Sequence, residues 1–245
     1  MTVRRALVVL VLAVGACAAS GAEAAARAEP TVYAAASLTN VFPSIDPAPR
    51  YSFGGSNTLA AQIRLGAPAD VFASADMTLP TGLYADGLCS KPVVFARNRV
   101  VIVVPRSNPA RVRSIFGLTR PGVKIVIAGP TVPVGAYTHQ ILRKLNLSVA
   151  VLKNVVSVES DVRGVLAKVA LGEADAGFVY ATDARTVRGR VATIGIRWSA
   201  QPIVRYAAAV VKSSKHRAAA RAYLTKLLRP AAQRKLLAAG FLRRR

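Results

Sequence analysis

Four stretches of the chain set hydroxyl-bearing and small residues directly before a helical pattern: Ala34–Asn40, Phe53–Thr58, Pro130–Gly135 and Glu159–Gly164. The first turn of a helix carries backbone N–H groups that no intrahelical carbonyl can reach, together with a partial positive charge. Such an end can hold an anion with no cationic side chain nearby. Taken singly, Ser37 and Ser56 read first as helix caps, worth about 1 kcal/mol each. Tyr180 reads as a half-buried strand aromatic.

Other chemistry finds less support. Asp70, Asp76, Asp161 and Asp183 are carboxylates, but Asp161 and Asp183 stand where they would cap helices or pair with Arg163. No Gly-x-Ser-x-Gly elbow is present, His139 and His216 fall in no catalytic motif, and no nucleotide-type glycine-rich loop occurs. The only cysteines are Cys17 and Cys89, which with two isolated histidines form no zinc ligand set. Neither an enzyme nor a resident cofactor or metal is expected.

The elements that must position these residues alternate in type. Branched runs at Thr31–Ala35, Tyr51–Phe53, Asp70–Ser74, Arg99–Val104, Lys124–Ala128, Val155–Val158, Gly177–Tyr180, Val191–Ile196 and Tyr206–Val211 read as strands. Helical patterns cover Thr58–Leu65, Gly135–Leu145, Asp161–Leu171 and His216–Ala239, with Gly240 placed as a C-cap. This order predicts an α/β fold of mainly parallel sheets flanked by helices, with ligands beyond the carboxyl ends of the strands. The four stretches fall at such ends.

Composition bounds the partners. Of 245 residues 53% are hydrophobic, mostly Ala and Val, and 18% are charged, so the chain can bury a core. Arg4 and Arg5 followed by the apolar run Ala6–Ala16 read as a secretory leader, residues 1–28. Ala22-Glu23-Ala24 and Ala26-Arg27-Ala28 suit ordinary cleavage, whereas Val14-Gly15-Ala16-Cys17 resembles a lipoprotein box that would leave a lipid on Cys17. Either route lowers the formal charge of +23 by two. That charge attracts anions of every kind, and a polyanion-binding envelope protein is the rival reading. The basic residues are scattered and not interleaved with aromatics, so nucleic acid is not the expected partner.

Several segments resemble the periplasmic molybdate-binding proteins of ABC importers. They are Ala34–Asn40, Phe53–Ala60, Gly66–Asp76, Val132–Tyr137, Asp161–Gly164, Val179–Ala184 and Gly240-Phe241, in order along the chain. The resemblance implies a two-lobed, type II periplasmic-binding-protein fold with two crossing strands near Val101 and Tyr206. Lobe one would be 29–101 and 206–245, and lobe two 102–205. It implies an oxyanion, molybdate and by extension tungstate, held by Ser37 and Ser56 from one lobe and by Val134, Val162 and Tyr180 from the other. Sulfate is the alternative within the same class. A monomer is implied that delivers its ligand to a membrane permease and its ATPase. Val134 stands where the family more often has alanine, a change the backbone contact tolerates. Residues 41–50 are shorter than in the family and carry Pro43, Pro47 and Pro49, which puts the length of the first helix in question.

Overall fold

The computed structural model describes residues 29–244; the leader and its cleavage or lipidation sites lie outside the described residues. Among the described residues, ten strands form two five-stranded sheets. The first contains β1 (Thr31–Ala35), β2 (Arg50–Gly54), β3 (Val71–Ser74), β4 (Val93–Asn98) and β10 (Val204–Val210), in the order β2-β1-β3-β10-β4. The second contains β5 (Val100–Pro105), β6 (Ile125–Ala128), β7 (Val155–Glu159), β8 (Ala176–Tyr180) and β9 (Val191–Ile194), in the order β7-β6-β8-β5-β9.

Both sheets are mixed, but in each four of the five strands run in one direction and a single strand runs against them. β1 pairs parallel with β2 and β3, and β6 parallel with β7 and β8, as strand–helix–strand crossovers require. The antiparallel pairings come from one reversed strand in each sheet: β10 runs against β3 and β4, and β5 against β8 and β9. Those are the strands by which the chain leaves one sheet and enters the other, and they insert against the local direction. β4 and β5 are separated by Arg99 alone, and the return falls between β9 and β10. Both changes of sheet lie slightly ahead of Val101 and Tyr206.

Burial explains the Ala/Val composition. All six residues of β5 and all five of β8 are buried, the pattern of strands covered on both faces. On the flanks, α1 (Phe42–Ile45), α2 (Ser56–Arg64) and α3 (Thr78–Ala85) belong to the first lobe. α4 (Pro133–Lys144), α5 (Ser148–Leu152), α6 (Val162–Ala170) and α7 (Ala181–Thr186) belong to the second, and α8 (Arg217–Leu228) and α9 (Pro230–Ala239) return to the first. Pro230 splits the long closing pattern in two, and Gly240 ends it in the left-handed region at φ 99°.

The proline-bearing segment 41–50 leaves only the four-residue α1. Aromatic packing holds it in place of helix length. Phe42 is fully buried, with ring centroids 5.7 Å from Phe95 and 6.0 Å from Tyr223. The Tyr51 hydroxyl donates to the Asp46 carbonyl at 2.6 Å, tying the end of the segment to β2.

Candidate functional site: a donor-lined cavity between the lobes

Each of the four stretches ends a strand and starts a helical turn on the side where the lobes face each other. Together they line one small cavity with about 210 Å³ of atom-free space, its mouth included. Ser37, Ser56, Val134, Val162 and Tyr180 all border it. Small residues complete the wall, among them Ala35, Gly55 and Ala75, so the backbone is accessible where larger side chains would cover it.

The local structure separates cavity-facing groups from caps. The N-cap positions are Ala35, Gly55, Val132 and Asp161, not the serines. Ser37 lies within the single 3-10 turn Ala36–Leu38, and Ser56 is the first residue of α2, which begins two residues before the expected Thr58. Neither turn has a side-chain cap, nor does α4, so their first amides remain free to face the cavity. At α6 the Asp161 carboxylate accepts from the amides of Arg163 and Gly164, at 2.7 and 3.1 Å. The Val162 amide precedes both and is left over. Asp161 is thus a cap, as its position suggested.

The hydroxyls are arranged to donate. Ser56 Oγ accepts the Ala75 amide at 3.2 Å, which leaves its own proton for the cavity. Ser37 Oγ lies 2.9 Å from the Tyr206 hydroxyl. Tyr180 is 1% exposed, and its phenol oxygen has no hydrogen-bond partner among the described residues. Burial drives its pKa well above the usual tyrosine value, so it stays protonated and a donor. An unpartnered buried hydroxyl costs roughly 1–3 kcal/mol, and a ligand oxygen would remove that cost.

No lysine or arginine is among the residues that line the cavity. The nearby Asp183 is fully buried, accepts the Tyr180 amide at 3.2 Å, and caps the start of α7. Burial pushes its carboxyl up to about 7, against the opposing pull of the Tyr180 amide and Arg163. Among the described residues, no three His, Cys, Asp or Glu side chains gather as a metal site.

Two hydrogen bonds close the rim across the lobes: Asn57 Nδ2 donates to Thr131 Oγ1 at 3.2 Å, and Arg163 Nη1 to Asn40 Oδ1 at 3.1 Å. All four residues lie in or beside the stretches that resemble the family, yet nothing in the sequence pointed to their pairing. Tyr206 and Asn98, behind Ser37, carried no sequence signal of a role at the site. Close backbone approach holds the site on the second lobe as well. A Cβ on Gly135 would lie 2.0 Å from the Gly129 carbonyl oxygen, so only glycine lets α4 start against the end of β6.

Residues 30–242 match the family described as bacterial extracellular solute-binding protein. A "Molybdate-binding protein ModA" of Mycobacterium tuberculosis is 38% identical over 220 residues, covering 86% of this chain and 83% of that protein. By structure, the periplasmic molybdate-binding protein of Azotobacter vinelandii superposes with a TM-score of 0.76 at 24% identity, covering 87% of this chain and 99% of the other. The sulfate-binding protein SubI of Mycobacterium tuberculosis gives 0.77 at 19% identity, covering 87% and 86%. At those identities the superpositions speak for the two-lobed fold alone. Among the described residues, no helix is long and apolar enough to cross a membrane. The chain belongs to the family of bacterial extracellular solute-binding proteins.

Proposed function

We propose that the protein captures molybdate, and tungstate with it, in the cavity between its lobes and delivers it to an ABC permease driven by an ATPase. The observation that carries this reading is the unpartnered Tyr180 phenol, buried in a wall made of hydroxyls and free helix-start amides. A tetrahedral dianion needs many donors, and each one aimed at it forms a charge-assisted hydrogen bond. The proposed contacts are the hydroxyls of Ser37, Ser56 and Tyr180 and the backbone amides at Ser37, Ser56, Val134 and Val162. The molybdate-binding name of the Mycobacterium tuberculosis relative supports the choice of ligand.

A wall of donors also selects. Hydrogenphosphate brings a proton that needs an acceptor, and no carboxylate is among the proposed contacts; Asp161, on the wall, serves through Oδ1 as the cap of α6. Sulfate carries no proton and is rejected only by size, so the shared fold of a sulfate-binding protein leaves it as the competing ligand. Because the ligand would touch both lobes, binding favours the closed arrangement, and the protein acts as a binder and not as an enzyme. Export by way of the leader, with either cleavage or a lipid on Cys17, belongs to the same reading.

The experiment is a thermal-shift series with molybdate, tungstate, sulfate and phosphate at matched ionic strength. A ligand at 100 times its Kd adds about 2.7 kcal/mol of stability. Shifts with molybdate and tungstate, absent with the other two, are the expected result, and the Ser37→Ala, Ser56→Ala double variant should abolish them while staying folded. Equal shifts with all four anions would instead point to the basic surface.

A further inference from the structure

Ser37 can donate to an anion only if its own hydrogen is free, and that is decided behind it. The Tyr206 hydroxyl lies 2.9 Å from Ser37 Oγ and 3.4 Å from Asn98 Nδ2. The amide of Asn98 is oriented by its neighbour: the Arg99 backbone N–H donates to Asn98 Oδ1 at 2.9 Å. Its NH₂ group therefore faces Thr182 Oγ1, at 2.9 Å, and Tyr206. An amide NH₂ offers only donors. The Tyr206 oxygen must accept from it, and the phenol hydrogen then points to Ser37 Oγ. With one lone pair so occupied, Ser37 directs its own hydrogen to the cavity.

The two residues sit at telling places. Asn98 ends β4, just before the chain crosses to the second lobe, and Tyr206 lies in β10, just after it returns. Tyr206 is fully buried, and its ring meets those of Tyr180, Phe241 and Phe95 edge-on at 5.5, 5.3 and 6.1 Å. Burial holds the phenol well above its usual pKa, so it has a proton to give at any ordinary pH.

We propose that Tyr206 and Asn98 are positioning residues that hold Ser37 as a hydrogen-bond donor toward the bound oxyanion, so that the two lobe-joining strands set the polarity of the site. This rests on the reading of the cavity as an oxyanion site. Its consequence is specificity. Without the Tyr206 hydroxyl, Ser37 is free to turn and accept, and a protonated anion gains a partner it otherwise lacks.

Tyr206→Phe keeps the ring contacts and removes only the hydroxyl. Calorimetric titration of sodium molybdate into the wild type, Tyr206→Phe, Ser37→Ala and the double variant tests the coupling, with phosphate affinity read by competition. The expected result is a loss of about tenfold for Tyr206→Phe in the wild-type background and less than about twofold in the Ser37→Ala background. The phosphate-to-molybdate Kd ratio of Tyr206→Phe should narrow by several-fold. An equal loss in both backgrounds, or an unchanged ratio in a folded Tyr206→Phe protein, overturns the proposal. Undiminished molybdate binding by Ser37→Ala overturns it too, and takes the site reading with it. Loss with Ser37→Ala but none with Tyr206→Phe overturns the relay alone.

Discussion

Gly55 and Ser160 meet backbone to backbone across the cleft: a Cβ on Gly55 would lie 2.4 Å from the Ser160 carbonyl oxygen. Gly55 caps α2 in the first lobe, and Ser160 precedes α6 in the second. The contact exists only while the lobes are together, so a side chain at position 55 acts as a wedge. Its φ of −59° is open to any residue, and the lobe itself should fold normally with alanine there.

Gly55→Ala is therefore expected to weaken ligand binding by tenfold or more while lowering the melting temperature of the unliganded protein little. Calorimetric titration and a thermal melt of the same preparation separate the two effects. A large loss of stability without ligand would mean that the contact shapes the first lobe instead.

Tyr180→Phe removes a buried hydroxyl that has no hydrogen-bond partner among the described residues. The unliganded variant should be as stable as the wild type or up to about 1 kcal/mol more so, because an unsatisfied polar group is gone. The same change should weaken molybdate binding by roughly ten- to a hundredfold, the worth of one hydrogen bond to a charged ligand. Opposite signs in melting temperature and affinity are the signature. A parallel loss of both would indicate a purely structural tyrosine.

Val134 and Val162 are proposed to act through their amides, so their side chains are replaceable. Val134→Ala should leave molybdate affinity within about threefold, even though Val134 is 1% exposed and the truncation costs packing energy on the order of 1–2 kcal/mol. A loss of binding beyond the loss of stability would show that the methyls shape the cavity.

How far the sequence reached can be judged at these same residues. Strand and helix periodicity located the junctions, and the family resemblance picked out the five residues that now line one cavity. The helix at Thr78–Ala85 escaped because Pro80 and Gly82 break its pattern, and α7 because six residues are too few to show a period. β4 was hidden because Val93–Asn98 runs almost without a break into β5. The one reversed strand in each sheet, β10 and β5, depends on which strand the chain uses to change sheets, and periodicity carries no sign of direction. Tyr206 and Asn98 were illegible for a different reason. Their role depends on contacts with Ser37 that are 169 residues apart in the chain for Tyr206, and on an amide orientation set by a backbone N–H.

Asp183 makes stability depend on pH with a definite sign. Its folded-state carboxyl titrates at about 7, above the ordinary 3.8, because burial disfavours the charge. Between about pH 4 and 7 the folded chain holds a proton that the unfolded chain has released. Unfolding free energy from this group therefore falls as pH rises through that window, by up to about 1.4 kcal/mol per pH unit, and levels off above it. Asp70 contributes in the other direction, since hydrogen bonds from Ser214, Thr31 and His216 hold its carboxyl below the ordinary value despite burial. Comparison with Asp183→Asn isolates the first effect, because asparagine still offers an oxygen to the Tyr180 amide. Denaturant melts between pH 5 and 8 should show the variant gaining stability relative to the wild type as pH rises. A difference that stays constant across the range would mean that Asp183 remains charged in the folded protein, with Arg163 and the α7 amides sufficient to hold the carboxylate.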